Sequence, residues 1–243
     1  MPRFHCPGPL VIGATLALPP ALAHHVQVLR LSAGDTVTLF DGAGGEHVAE
    51  LTDIGRKSAT ARIVSHLVRE AELPYPITLA QALPEASKMD WIVEKAVELG
   101  AAGVQPLAAQ RCVVRLSGER AEKRRAHWQA ISVAAAEQCG RNRIMPVADI
   151  ADFSRFIAQT DPAPALILAP DATLGLAGWA REAGPQPVRL LIGPEGGFTP
   201  AEVALAVGHG AQAVGIGPRV LRTETAGLAA LAMLAGIWGE APG

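Results

Sequence analysis

Two glycine-bearing strings late in the chain hold the residues whose types and spacing suit chemistry. The first is Val188-Arg189-Leu190-Leu191-Ile192-Gly193-Pro194-Glu195-Gly196-Gly197-Phe198-Thr199-Pro200-Ala201-Glu202, and the second is Ala213-Val214-Gly215-Ile216-Gly217-Pro218-Arg219-Val220-Leu221-Arg222-Thr223-Glu224-Thr225-Ala226. Val188 to Ile192 is a short apolar run of the kind a fully buried strand shows. Gly193, Gly196 and Gly197 permit positive φ and let a ligand approach main-chain atoms where a Cβ would obstruct it. Thr199 as N-cap, Pro200 at the first helical position and Glu202 three residues after the cap spell a capping box, so the loop feeds a helix N-terminus. No Lys-Ser or Lys-Thr follows the glycines and the spacing is not G-x-G-x-x-G, which removes the common phosphate loops. Glu195 would repel an anion that a helix N-terminus otherwise attracts. A ligand with hydroxyls, amides or positive charge suits the loop better. In the second string Pro218 stiffens the bend, Arg219 and Arg222 flank it, and Thr223 is expected to cap a long Ala/Leu helix. One such bend is an ordinary strand-to-helix connection; two in quick succession describe a shared ligand site.

The elements that must position these bends follow from periodicity. After Pro74-Tyr75-Pro76, apolar runs alternate with amphipathic segments, the pattern of a parallel α/β sheet. Ser87 is expected to cap a helix with Met89, Ile92, Val93, Ala96 and Val97 on one face, ended by Gly100. Val104 to Leu107 reads as the next strand, and a second helix runs from about Glu119 to Gln138, stopping at Gly140. Ala165-Leu166-Ile167-Leu168-Ala169 is a further buried strand whose carboxyl end should lie beside the two bends, because ligands in parallel sheets bind there. Upstream of the Pro-Tyr-Pro break, Thr36 to Phe40 and Ala59 to Val64 are strand-like, and Ala21 to Arg30 reads as a helix. This predicts a small β-rich domain over residues 1–73 and an α/β domain over 74–243.

Composition limits the functional classes. Forty-nine per cent hydrophobic content with mixed charges marks a folded chain. Cys6, Cys112 and Cys139 are an odd number without metal-ligand spacing, which fits a reducing compartment and a cytoplasmic protein. His24 and His25 are adjacent, so their side chains diverge on a helix, and no third ligand stands near; no metal is expected. Leu10 to Leu18 with Ala21-Leu22-Ala23 imitates a secretory leader, but Pro7, Pro9, Gly13, Pro19 and Pro20 interrupt it, and the stretch is read as folded chain. No apolar run is long enough to cross a bilayer. The net charge of −2 argues against a uniformly basic nucleic-acid binder, yet Arg111 to Arg143 carries eight basic against three acidic side chains. That local surplus makes Arg111, Arg141 and Arg143 candidate RNA contacts, with Arg141 and Arg143 expected in a loop free to reach a phosphate or base.

Gly193-Pro194-Glu195-Gly196-Gly197-Phe198 together with Gly217-Pro218-Arg219-Val220-Leu221-Arg222-Thr223-Glu224-Thr225-Ala226 resembles the paired signature of the RsmE-type ribosomal RNA methyltransferases. The likeness extends from Arg3-Phe4 through Lys88 to Gly100 and on to Glu137-Gln138-Cys139-Gly140-Arg141-Asn142-Arg143, with Cys139 where the pattern suggests serine. The resemblance implies a SPOUT-type, trefoil-knotted α/β domain preceded by a PUA-like β-barrel. It also implies a homodimer that methylates N3 of one uridine (the U1498 type) in 16S rRNA within the 30S subunit. S-adenosyl-L-methionine would be the cofactor and S-adenosyl-L-homocysteine the product, held by Leu168, Ile192, Gly193, Glu195, Gly196, Ile216, Gly217, Leu221 and Thr223. Arg3 and Arg30 become further RNA contacts. Because uridine N3–H is a weak acid, Arg222 or Arg3 is expected to stabilise the developing anion; Glu224, in a helix first turn, is favoured in its charged, weakly basic form. Two alternatives stay open: a SPOUT methyltransferase acting on another rRNA or a tRNA nucleotide, and a non-catalytic RNA-binding protein.

Overall fold

The computed structural model describes residues 1–239. The chain forms two compact units, Met1–Glu72 with Ala136–Ile144, and Leu73–Ala135 with the residues from Met145 onward.

The first unit contains β1 (Arg3–His5), β2 (Thr15–Ala17), α1 (Pro20–Val28), β3 (Thr36–Phe40), β4 (Glu46–Ile54) and β5 (Ala59–Leu67). Its strands make one sheet in the order β1-β3-β4-β5-β2, antiparallel except for the parallel β1–β3 pair. Alternate residues turn inward, so Val37, Leu39, Ala49, Leu51, Ala61 and Ile63 make a core closed by Leu22, Ala23 and Val26 of α1. Pro20 opens α1 where the missing N–H is harmless. Arg30, expected at the end of that helix, lies beyond it at φ 54°, while Leu31 N–H closes back on Val26 O at 3.0 Å.

The second unit contains β6 (Ile77–Ala82), α2 (Lys88–Glu98), β7 (Gly103–Ala108), α3 (Gly118–Cys139), β8 (Ala151–Asp152), α4 (Phe153–Ile157), β9 (Ala165–Leu168), α5 (Leu176–Ala183), β10 (Val188–Ile192), α6 (Pro200–Gly208), β11 (Gln212–Val214) and α7 (Thr223–Trp238). The last residues of α3, from Ala136, cluster with the first unit. Six strands form a wholly parallel sheet ordered β11-β9-β10-β6-β7-β8. Its central strands read as continuous apolar runs, as expected where a parallel sheet is covered on both faces, and Ile77, Leu79, Leu166, Ile167, Leu190 and Leu191 are buried. β10 follows β9 in sequence yet pairs with both β9 and β6. β11 lies at the edge beyond β9, whereas α7, which follows it, packs on β10 and β6. Ser87 stands at the N-cap of α2 but its side chain makes no cap bond, a departure from the expected capping. Among the described residues no helix is long and apolar enough to span a membrane.

Candidate active site

The first bend links β10 to α6. The predicted capping box is present: Glu202 N–H donates to Thr199 Oγ1 at 3.2 Å and Thr199 N–H to Glu202 Oε2 at 2.8 Å. Glu202 also accepts from the Gln110 N–H at 2.7 Å through Oε1, tying α6 to the loop after β7. The glycines work differently from one another. Only Gly197 of the three has positive φ, +67°, in the turn closed by its N–H on Pro194 O at 2.8 Å. Gly193 is required for space, since a Cβ there would sit 2.8 Å from the Phe198 nitrogen and 2.9 Å from Gly197 backbone atoms. Arg111, expected to face RNA, donates through Nη1 to Gly196 O at 2.7 Å and so braces this bend.

The second bend leaves β11 at the sheet edge. Gly215 is held between two backbone bonds, its N–H to Leu174 O at 2.9 Å and its carbonyl from Leu176 N–H at 2.8 Å, while Ala169 N–H reaches Val214 O at 3.0 Å. The carboxyl ends of β9 and β11 therefore stand side by side, and the last residue of β9, Leu168, is half-buried there. Gly217 follows at φ +117°. Among the described residues the amides of Ile216, Gly217 and Leu221 donate to no carbonyl.

One side chain joins the two bends. Thr223, expected as a helix cap, is instead the first residue of α7 behind an Arg222 N-cap, and makes no cap bond. Its buried hydroxyl donates to Gly193 O at 2.6 Å and accepts from Gln81 Nε2 at 2.9 Å. Gln81, a polar residue inside the apolar run of β6, is fully buried, and its amide nitrogen also donates to Ala82 O. Gly227, one turn on, lets α7 lie against β10: a Cβ there would be 3.0 Å from Ile192 Cγ1. The result is a set of main-chain donors without partners, glycines at close approach and a buried hydroxyl bridge, all at the carboxyl ends of β9, β10 and β11. That donor set suits the hydroxyls and ring nitrogens of a nucleoside and offers nothing built for a phosphate.

Comparisons agree with this geometry. Residues 71–235 match the RNA methyltransferase domain family and residues 18–64 the RNA methyltransferase PUA domain. The chain is 37% identical to ribosomal RNA small subunit methyltransferase E of Synechocystis over 92% of this chain and 74% of that one. It is 33% identical to the Bacillus subtilis protein of the same name, over 87% and 85%. The crystal structure of ribosomal RNA small subunit methyltransferase E from Neisseria gonorrhoeae, bound to S-adenosyl methionine, superposes with a TM-score of 0.91 at 38% identity, covering 98% of each chain. The Legionella pneumophila protein Lpg2936, solved with bound SAM, gives 0.89 at 37%, covering 96% of each chain. The chain belongs to the ribosomal RNA small subunit methyltransferase E family.

As expected of this family, a PUA domain precedes a SPOUT-type α/β domain. Within the bends Ile192 is buried, Ile216 and Leu221 are half-buried, and Gly196, Gly217 and Arg222 are exposed. Glu195 is the loop residue that departs most from expectation. Its carboxylate accepts from Lys88 Nζ at 2.5 Å and from Glu85 N–H at 3.0 Å. Burial pushes its carboxyl up, but the Lys88 hydrogen bond and backbone N–H groups outweigh it and hold the carboxyl below its ordinary range. Glu195 thus orients the bend through α2; Lys88 carried no signal of this role except its place in the Lys88–Gly100 string. A separate cleft of about 440 Å³ opens at the carboxyl ends of β7 and β8, lined by Gln110, Arg115, Asp152, Ser154, Ala201 and Glu202 among others. It contains none of the bend residues predicted to hold the cofactor. Among the described residues no cluster of three His, Cys, Asp or Glu side chains is disposed to hold a metal.

The first unit gathers the remaining predicted arginines and sorts them. Arg141 is a correction: its side chain is buried, donating through Nε to Glu72 Oε1 at 3.0 Å and pairing through Nη2 with Glu72 Oε2, so it is not free to reach RNA. Arg3 is likewise engaged, through Nη1 with Glu46 and through Nη2 with Asn142 Oδ1 at 2.8 Å and Arg141 O at 3.1 Å, its guanidinium lying 5.0 Å from the Phe40 ring centre. It frames the family's first unit and is not a free cation in this state. Arg143 is 54% exposed with one long contact to Glu70 at 3.3 Å, and Arg30 is exposed. Glu46, Glu72 and the fully buried Asn142 carry no sequence signal of this role, since nothing local announces their distant partners.

Proposed function

We propose that this protein transfers the methyl group of S-adenosyl-L-methionine to N3 of a single uridine in the 16S rRNA of the small ribosomal subunit. The observation that carries the reading is the Thr223 hydroxyl bond to Gly193 O, which clamps the two glycine bends beside the end of β9 and leaves the Ile216, Gly217 and Leu221 amides for a ligand. The family relatives that share this architecture are named for small-subunit rRNA methylation, and two solved neighbours hold the same sulfonium nucleoside. When bound, that nucleoside supplies a methyl group on a positively charged sulfur, already a good leaving group. The chain contributes position: main-chain atoms of Leu168, Ile192, Gly193, Ile216 and Leu221 hold the donor so that the nucleophile can come to about 3–3.5 Å of the methyl carbon. Arg222, the exposed N-cap of α7, makes no side-chain hydrogen bond or ion pair among the described residues, which supports its role in stabilising negative charge on O2 and O4 as N3 loses its proton. N3 lies on the pairing edge, so the target is read unpaired or extruded.

The placement of α7 on β10 and β6, after β11 at the far edge, supports a threaded C-terminal segment. A homodimer, an assembled 30S substrate and a cytoplasmic location complete the proposal; the acidic balance outside the Arg111–Arg143 segment favours a particle in which other components help to position the RNA. The test is to incubate purified protein with labelled cofactor and 30S subunits lacking the modification, then map the product by primer extension. A single stop at one small-subunit uridine is expected. Label in tRNA or in another nucleotide would reassign the target, and no calorimetric binding of the cofactor would leave only an RNA-binding protein.

A further inference from the structure

The reaction proposed above must dispose of one proton, and the structure contains a group whose hydrogen bonding is incomplete at that place. Four carboxylates stand on the loop after β9, on the bends and in the first helical turns they feed, and one of them, Glu202, is spent on the Thr199 cap and the Gln110 N–H. Asp171 is exposed to water. Glu195 is already occupied by Lys88 and the Glu85 N–H and is held acidic. Glu224, in the first turn of α7, has its Oε2 buried with no hydrogen-bond partner among the described residues. Buried carboxylate oxygens are normally satisfied, so an orphan calls for a donor brought from outside. It stands at the start of α7, next in sequence to the side chain that clamps the two bends. Glu224 is one residue after Thr223, whose hydroxyl holds the Gly193 carbonyl, and two after Arg222. Its own helix carries Arg222 two residues earlier, and from α2 Lys88 faces it: the Glu195 hydrogen bond raises the Lys88 ammonium most, with the charges of Glu224 and Glu85 adding to it. From β6 the facing group near α7 is the neutral Gln81, whose Oε1 is also buried and unpartnered.

The geometry points to Glu224 as the catalytic base that takes the proton from uridine N3. This deepens the proposed function and rests on it. Uridine N3 gives its proton to Glu224 Oε2 and its electron pair to the methyl carbon; the carbon–sulfur bond breaks with its pair kept by sulfur, and the neutral thioether departs. Carboxylic acid then returns the proton to solvent. Charge is conserved, and no further reactant is needed. Arg222 lowers the cost of the uridine anion as the proton leaves.

The test compares wild type with E224Q in single-turnover methylation of 30S subunits, alongside calorimetric titration of the cofactor and thermal melts. E224Q should keep cofactor affinity within about twofold and slow methyl transfer by on the order of 100-fold, the usual weight of general base catalysis. Its rate should climb with hydroxide across the neutral range, where the wild-type rate has levelled off. Substituting 5-fluorouridine, whose N3–H is more acidic, into the substrate RNA should shrink the E224Q defect at least tenfold. A defect equal on both substrates would overturn the assignment. So would a tenfold loss of cofactor affinity, which would make Glu224 a ligand for the methionine ammonium group. If E224Q melts early, E224D, which keeps the carboxylate, must restore the wild-type pH profile. Failure of wild type itself to methylate either RNA would sink the proposed function instead, so the two ideas fail separately.

Discussion

Thr223 and Arg222 are adjacent and do unlike work. Replacing Thr223 by Val keeps the shape but removes the hydroxyl, which leaves Gly193 O without its partner and takes an acceptor from Gln81 Nε2. A loss of about 1–3 kcal/mol is expected, visible as a lower denaturant midpoint, together with weaker cofactor binding because Gly193 is then free to drift. Arg222→Ala should do the reverse: an unchanged midpoint and unchanged cofactor affinity, with turnover down by about 100- to 1,000-fold, as for loss of one oxyanion donor. Near-normal turnover in that variant would remove Arg222 from the chemistry. Neither role is visible in local sequence. A threonine after a bend reads as a cap, and only the partners 30 and 142 residues away show that its hydroxyl is spent elsewhere.

Elements were more legible than contacts. The Thr199-Pro200-Ala201-Glu202 string contains its whole instruction within four residues, and the capping box formed as read. The apolar runs at 165–168 and 188–192 likewise appear as buried strands. Their order in the sheet does not, because period and propensity say nothing about which strand lies beside which. The short α4 escaped notice too, though Asp152 caps it through the Ser154 and Arg155 N–H groups. The fit of α7 against β10 offers a test in which two effects compete. Gly227→Ala gains about 1 kcal/mol of intrinsic helix propensity, but its methyl would meet Ile192 Cγ1 at 3.0 Å and Cδ1 at 3.2 Å in a filled core. Overpacking of this kind costs about 1–3 kcal/mol, so the variant should melt below wild type and bind cofactor less well as Ile192 shifts. A higher melting temperature would show that the helix has slack there.

Across the whole molecule, charge sorts into frame and surface. Arg141→Met should destabilise the protein strongly, by about 3–5 kcal/mol, because Glu72 loses its buried guanidinium. Arg30→Ala and Arg143→Ala should leave the melting temperature within a degree or so and weaken RNA binding, each lowering the salt slope by about one ion. Filter binding at several salt concentrations separates these outcomes; equal salt slopes in all three variants would mean that none of them meets phosphate. In sequence Arg141 and Arg143 are alike, two basic residues of one loop, and Arg30 joins them by family resemblance alone. Burial distinguished them, and burial of Arg141 depends on an acidic partner 69 residues earlier in the chain.

The place of β10 has a consequence for the life of the chain before it is finished. β10 is synthesised after β6 and β9 yet lies between them. A nascent or truncated polypeptide that stops short of Val188 therefore presents two raw strand borders with nothing to pair them, the kind of template on which other chains accrete. Premature termination after β9 but before Val188 should yield insoluble product and no partly working enzyme.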